Sequence, residues 1–185
     1  MKEEAAMRAN IIIHSISGNL YLIAETFTET LQTLGIDARL YRVSDPDLHI
    51  EANERTEVNE YYEEITSLPE ASGRTLEKAD AIILGTPSRF GMPTAEMKGF
   101  IDSTWLLYRS RALEGKLFYA FSSSSVSEDD GLKAVQGLYT WAGMMGMTNI
   151  PYSVYVHKEG EIMPNRPTDD IDFVAEHLGT AILAF

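Results

Sequence analysis

Residues 9–34 read ANIIIHSISGNLYLIAETFTETLQTL and contain a strand, a tight loop and a helix in close succession. The first six residues, Ala9–His14, are almost continuously apolar, as expected of a strand that is buried on both faces. Apolar residues then recur at spacings of three and four from Asn19 to Leu34, which predicts a helix. Gly35 follows at the position where a helix commonly ends. This stretch therefore predicts one strand–helix unit.

The same alternation continues along the rest of the chain. Further strands are predicted over residues 37–43, 80–84, 116–121 and 152–156, and further helices over residues 132–142 and 171–182. A helix is also expected to begin at Pro93, with Met97, Phe100, Ile101 and Trp105 on its inner face. Five strand–helix units predict an α/β fold: a flavodoxin-like, doubly wound, five-stranded parallel sheet of order 2-1-3-4-5, with helices on both faces.

Length and composition favour one domain over residues 1–185 and exclude several classes of partner. The chain has 15 Lys and Arg residues against 28 Asp and Glu residues, a net charge of −13. Such an acidic surface repels nucleic acid and anionic lipid, so neither is expected as a partner. No apolar run approaches the roughly 20 residues of a membrane-spanning helix, and we expect a cytoplasmic protein. Cysteine is absent, which excludes a disulfide framework and a thiol nucleophile.

The connection at about residues 45–78 is longer and more acidic than one crossover helix requires. Val58, Tyr61, Ile65 and Leu68 form an apolar stripe along it, opposite several glutamates. A solvated helical connection is the favoured interpretation, and a lid or a subunit contact is the alternative.

Ligands of an open parallel sheet bind beyond the carboxyl ends of its strands, which directs attention to three loops. The first loop contains Ser15, Ile16, Ser17, Gly18, Asn19 and Leu20. Its hydroxyls, a glycine that tolerates a positive φ, and the start of a helix together suit a phosphate. Asn19 is expected to cap that helix. An ordinary strand–helix turn remains the alternative for this loop alone.

The second loop contains Pro87, Ser88, Arg89, Phe90 and Gly91, and the third contains Ser122, Ser123, Ser124 and Ser125. Arg89 is the only charge in the second loop, and Phe90 has the shape to cover a planar ring. Asp and Glu are absent from residues 10–24, 81–95 and 115–127, although the chain is acidic. Acid-free loops at the ligand-binding edge indicate an anionic ligand.

Other sites are disfavoured by the residues present. Only Gly18 follows the first strand where a Rossmann fingerprint needs three glycines. No GxSxG motif is present. His14, His49, His157 and His177 are isolated along the chain, so no metal site is predicted.

The block from Gly85 to Ser124 closely resembles the WrbA-type NAD(P)H:quinone oxidoreductases, which are FMN enzymes of the flavodoxin-like superfamily. The family's GTP-x-RFG segment matches Gly85–Gly91, its MK-x-F-x-D helix matches Met97–Asp102, and its S-x-x-G phosphate loop matches Ser15–Gly18. Four features depart from the family pattern. Asn19 stands where a histidine is usual, and the segment from Ser44 to Lys78 is long. Glu128–Gly131 replace His-Gly-Gly, and Met144–Met147 replace a segment containing His-Gly-Met.

The resemblance implies an FMN-dependent oxidoreductase that transfers two electrons from NAD(P)H to quinone-like acceptors, and a homo-dimer or homo-tetramer. It implies that Ser15–Leu20 hold the FMN phosphate, that Pro87–Gly91 line the flavin ring, and that Ser122–Ser125 line its other edge. Arg89 and Phe90 are the expected catalytic residues. The alternatives are a flavodoxin-type electron carrier and a flavin-free interaction module of the same fold.

Overall fold

The computed structural model describes residues 6–159, 166–167 and 170–185, and a seven-stranded sheet lies at its centre. Its strands are β1 (Arg8–Ile13), β2 (Asp37–Arg42), β3 (Ala81–Arg89), β4 (Met92–Pro93), β5 (Leu117–Ser124), β6 (Thr148–Asn149) and β7 (Val156–Lys158). The order is β2-β1-β3-β5-β6, with β4 paired to β3 and β7 paired to β5. The doubly wound α/β prediction is confirmed, whereas the five-strand order is only approximate.

The structure differs from the sequence prediction at the fifth strand. A continuous strand was expected over residues 152–156, but two short strands, β6 and β7, pair with opposite ends of β5 instead. Between them, the hydroxyl of Tyr119 in β5 donates to the carbonyl of Ser153 and accepts from the N–H of Tyr155. A side chain therefore satisfies backbone groups that would otherwise belong to the sheet ladder.

The second difference lies after β3, which is longer than expected and continues into an antiparallel hairpin. Arg89 pairs with Met92, and Ser88 pairs with Pro93. Pro93 consequently ends a strand, and the prediction that it opens a helix is wrong. The helix begins at Ala95, because Thr94 occupies its N-cap and accepts a hydrogen bond from the N–H of Met97 at 3.4 Å.

Helices cover both faces of the sheet. They are α1 (Asn19–Thr33), α2 (Leu48–Glu54), α3 (Thr56–Asn59), α4 (Tyr62–Ser67), α5 (Gly73–Glu77), α6 (Ala95–Asp102), α7 (Trp105–Ser110), α8 (Glu128–Met144) and α9 (Asp170–Leu183). Ile11 and Ile13 of β1 join the buried cluster of α1 and α9, while Ile12 joins the cluster of α6 and α8. This alternation is the two-residue period of a strand covered on both sides.

The inner face of α6 is shorter than the sequence pattern indicates. Met97 and Ile101 are buried as predicted, but Trp105 begins the separate helix α7 and is 61% exposed. The long connection at residues 45–78 forms four short helices, α2 to α5, in which Val58 and Ile65 are buried and Glu63 and Glu64 are exposed. Within the described residues, the search for a helix long and apolar enough to cross a bilayer found none.

Candidate functional site

The loop between β1 and α1 has the geometry of an anion-binding turn. Gly18 occupies the N-cap position of α1 with φ of +92°, a backbone conformation that L side chains rarely adopt. The Oγ of Ser15 accepts a hydrogen bond from the N–H of Tyr21 at 3.1 Å and fixes the first turn. Asn19 is the first helical residue and not the cap, and its amide donates to Glu159 at 3.2 Å. The predicted capping by Asn19 is therefore wrong, because Gly18 takes that position.

Two residues outside the predicted site also contact this loop. The ring of Tyr61 packs against Gly18 so closely that a Cβ there would lie 2.3 Å from Tyr61 Cδ2. The guanidinium of Arg166 lies 4.8 Å from the centroid of that ring. It donates to the carbonyl of Ser17 at 2.8 Å and to Asn19 Oδ1 at 3.0 Å, and it forms an ion pair with Glu60.

Sequence reasoning missed both residues for different reasons. Tyr61 was recognised only as part of an apolar stripe. Arg166 is 149 positions from Ser17 and has no motif around it, so only the folded chain brings the two together. Arg166 supplies the positive charge that the first loop itself lacks.

The second loop is a two-residue hairpin turn whose tip is fully exposed. Phe90 has φ of +57° and Gly91 has φ of +71°, the positive values that a tight hairpin turn of the primed type requires. A phenylalanine with positive φ is strained, and such strain is common at functional sites. Phe90 is 95% exposed, so no part of the described core explains its presence. The side chain of Arg89 is also exposed and has no ion pair or hydrogen bond with the described residues.

The predicted third loop is mostly strand. Ser122, Ser123 and Ser124 belong to β5 and are buried, and only Ser125 lies exposed beyond the strand end. The Oγ of Ser122 donates to the carbonyl of Thr86 in β3 at 2.8 Å, so this hydroxyl is engaged within the sheet. Pro87 and Ser123 are direct neighbours across the same strand pair.

Asp130, in the first turn of α8, ties the second and third loops together. Ser124 Oγ donates to its carboxylate at 2.8 Å, and Ser88 Oγ donates to its backbone carbonyl at 3.2 Å. Ser88 Oγ in turn accepts the N–H of Gly91 at 3.2 Å, which anchors the hairpin tip. Hydrogen bonding by Ser88 and then Ser124 lowers the pKa of Asp130. Neighbouring Asp129 is paired with Lys133 at 2.5 Å.

The three loops meet at one edge because β1, β3 and β5 are adjacent and parallel. One end of this edge offers hydroxyls, the N-terminus of α1 and a nearby arginine, which suit a phosphate group. The other end offers an exposed aromatic ring, a tight backbone turn and an arginine that has no ion pair with the described residues, which suit a planar ring. Met144 belongs to the segment that replaces the family's His-Gly-Met. It lies at the C-terminal end of α8, about 24 Å along the helix from Glu128, whereas the first turn of α8 adjoins the second and third loops.

A family model and curated relatives match this chain. The family model described as NADPH-dependent FMN reductase matches residues 7–161. An NAD(P)H dehydrogenase (quinone) of Archaeoglobus fulgidus is 37% identical over 64% of this chain and 62% of its own length. Another from Aromatoleum aromaticum is 34% identical over 64% of this chain and 58% of its own length. The matched region thus spans about three-fifths of these two relatives.

Solved structures support the fold. A WrbA-like flavodoxin of Agrobacterium tumefaciens is 22% identical with a TM-score of 0.70 and covers 97% of both chains. Flavodoxin 1 of Bacillus cereus is 17% identical with a TM-score of 0.66, covering 96% of this chain and 98% of its own.

Proposed function

We propose that this chain, which belongs to the NADPH-dependent FMN reductase family, transfers two electrons from NAD(P)H to quinone-like acceptors. Family membership makes the protein a flavin oxidoreductase with FMN as cofactor and NAD(P)H as electron donor. The observation that most supports the finer proposal is that a strained hairpin carries Phe90, which is 95% exposed, next to Arg89, which has no ion pair among the described residues. These are surfaces that a small planar molecule would cover.

The residues at the strand edge fit FMN. Ser15 and Ser17 would donate hydroxyl hydrogen bonds to its phosphate, and Gly18 supplies the positive φ that turns the backbone of the loop. Arg166, which is paired with Glu60, would hold the loop in place through the carbonyl of Ser17 and the side chain of Asn19. Pro87–Gly91 would line the ring on one side, and Ser123–Ser125 would line it near the end of β5. When bound, FMN supplies the chemistry of hydride acceptance from NAD(P)H and electron delivery to the acceptor.

The protein's own residues act by position and electrostatics. Arg89 places a positive charge beside the proposed ring site, where it would favour an anionic, reduced ring over a neutral one. Phe90 would cover the ring and exclude water from it. Asp130 positions Arg89 and Phe90 indirectly, because it accepts hydrogen bonds from Ser88 and Ser124. Ser88 in turn accepts the N–H of Gly91 at the hairpin tip. No side chain need act as nucleophile.

Anaerobic rapid mixing tests this proposal. FMN-loaded protein is mixed with NADH or NADPH, and a quinone is then added while flavin absorbance is followed. We expect the donor to bleach the flavin and one equivalent of quinone to restore it. Phe90→Ala should slow one or both steps, whereas Phe173→Ala, which removes another exposed phenylalanine on α9, should not.

Two results of this experiment would contradict the proposal. A flavin that stays oxidised with both donors, yet is reduced by a redox protein, would indicate the electron-carrier alternative. A preparation that binds no FMN would indicate a flavin-free module. The homo-oligomeric state and the cytoplasmic location stay predictions, which size-exclusion chromatography with light scattering and cell fractionation test directly.

A further inference from the structure

A histidine and two carboxylates that are distant in sequence meet beside the first loop. His14 follows β1 and is only 3% exposed, Asp45 precedes α2, and Glu96 lies in the first turn of α6. The Nε2 of His14 lies 2.9 Å from Asp45 Oδ2, and its Nδ1 lies 3.7 Å from Glu96 Oε2. One donor atom from each residue falls within 4.8 Å of the others.

The buried ring has one nitrogen without a hydrogen bond. Nε2 is at hydrogen-bond distance from Asp45, but Nδ1 has no hydrogen-bond partner among the described residues. A neutral imidazole with its N–H directed at Asp45 has a lone pair on Nδ1, which faces the Glu96 carboxylate. The lone pair on the buried Nδ1 and the one-third exposed Glu96 carboxylate are both electron-rich, and this arrangement is unfavourable without a cation between them. The distance of 3.7 Å is too long for a hydrogen bond to fill that role.

The spacing suits two ligands of one metal ion. Zinc binds histidine nitrogen and carboxylate oxygen at about 2.0–2.2 Å, which places two tetrahedral ligands roughly 3.4 Å apart. The 3.7 Å between His14 Nδ1 and Glu96 Oε2 is close to that value. Asp45 is hydrogen-bonded to the other ring nitrogen, as an outer-shell carboxylate is beside a metal-bound histidine. A cavity of about 480 Å³ lined by Ser44, Pro46, Glu96 and Phe100 opens beside the cluster. It gives an ion access and leaves room for water as a further ligand.

We propose that His14 Nδ1 and Glu96 bind a divalent cation of the zinc class, and that Asp45 orients the ring through Nε2. An imidazole nitrogen and a carboxylate oxygen form a borderline donor set that favours Zn²⁺ or Co²⁺ over the all-oxygen preference of Mg²⁺. This site departs from the expectation based on sequence, which considered only spacing along the chain. It is independent of the proposed quinone reduction.

Isothermal titration calorimetry with ZnCl₂ on the chelator-treated full chain tests the site. We expect one Zn²⁺ per chain, no comparable heat with MgCl₂, and affinity at least about tenfold weaker in His14→Gln and Glu96→Gln. His177→Gln removes an exposed histidine on α9, and Asp102→Asn removes an exposed carboxylate on the same helix as Glu96. Both controls should bind like the parent chain.

Glu96→Gln keeps the test decisive if His14→Gln fails to fold, because the Glu96 side chain is one-third exposed. Three results would overturn the proposal: no saturable Zn²⁺ binding, unchanged affinity in Glu96→Gln, or equal binding of Mg²⁺. Weak binding to many sites that ignores both variants would show nonspecific attraction to an acidic surface, and it would overturn the proposal too.

Discussion

Single residues decide whether the first loop admits a phosphate, and Gly18 is the clearest of them. Its φ of +92° is strained for any other residue except asparagine or aspartate. A side chain there would also meet the ring of Tyr61, whose centroid lies 4.8 Å from the guanidinium of Arg166. Backbone conformation and packing therefore both require glycine.

We expect Gly18→Ala to weaken FMN binding by about tenfold or more, because the loop must either move or displace Tyr61. Fluorescence titration of the apoprotein with FMN measures the effect. Gly143→Ala is the matched control, since no atom lies within 4 Å of a Cβ at that helical position. Equal FMN affinity of the two variants would contradict the assignment of this loop.

In the proposed flavin site, Arg89 is the residue that we expect to tune the potential of the flavin. Its charge is unpaired within the described structure, so its removal leaves no buried partner stranded. We expect Arg89→Ala to lower the two-electron midpoint potential by roughly 10–30 mV at low salt, because a positive charge favours the anionic reduced ring. Potentiometry measures this shift, and Arg109→Ala on α7 serves as control. An unchanged potential would mean that Arg89 acts only as a surface charge.

At the scale of elements, the hairpin of β3 and β4 depends on α8 for its position. Asp130 accepts from Ser124 and Ser88, and the pKa of its carboxyl group is lowered by these contacts. A lowered pKa in the folded state means that the ionised form stabilises the fold. That contribution is present at pH values above the unfolded pKa and is lost as the pH falls through the folded pKa.

Asp130→Asn should therefore lower the free energy of unfolding by up to about 1 kcal/mol at pH 7, and the difference should shrink below about pH 4. Urea denaturation at both pH values measures it. Glu128→Gln removes a charge from the same first turn of α8 and corrects for the effect on the helix dipole. A loss that does not decrease at all as the pH falls below 3.8 would exclude the carboxylate as its source.

The elements also show what the sequence can and cannot reveal. Continuous apolar strands and the period of α1 predict the doubly wound sheet, because burial patterns are local signals. The β3–β4 hairpin was not predicted, because Phe90-Gly91 is not the Asn-Gly pair that usually marks a two-residue hairpin turn. Pro93 is also a residue type that commonly begins a helix. Arg166 at the first loop and Asp130 between the other two depend on contacts across the fold, which no local pattern contains.

For the whole molecule, we expect net charge to affect the rate at which the electron donor encounters the protein. The chain bears −13, and NADH and NADPH are anions, so their encounter is opposed by long-range repulsion. The acids at the start of α8 add little to this locally, because Asp129 is paired with Lys133 and Asp130 is held by serines. The effect belongs to the whole surface, and salt should screen it.

We expect kcat/KM for NADPH to rise roughly twofold to tenfold as ionic strength increases from about 0.02 to 0.2 M. NADH should respond less, because it lacks the additional 2′-phosphate of NADPH and therefore carries less negative charge. Steady-state assays with varied donor in sodium chloride and in a second monovalent salt measure this and separate screening from specific ion binding. The KM of an uncharged quinone in the same assays is the internal control and should stay constant. If kcat/KM for NADPH falls as salt rises, a local basic site must attract the donor, and net repulsion cannot be what limits its encounter with the protein.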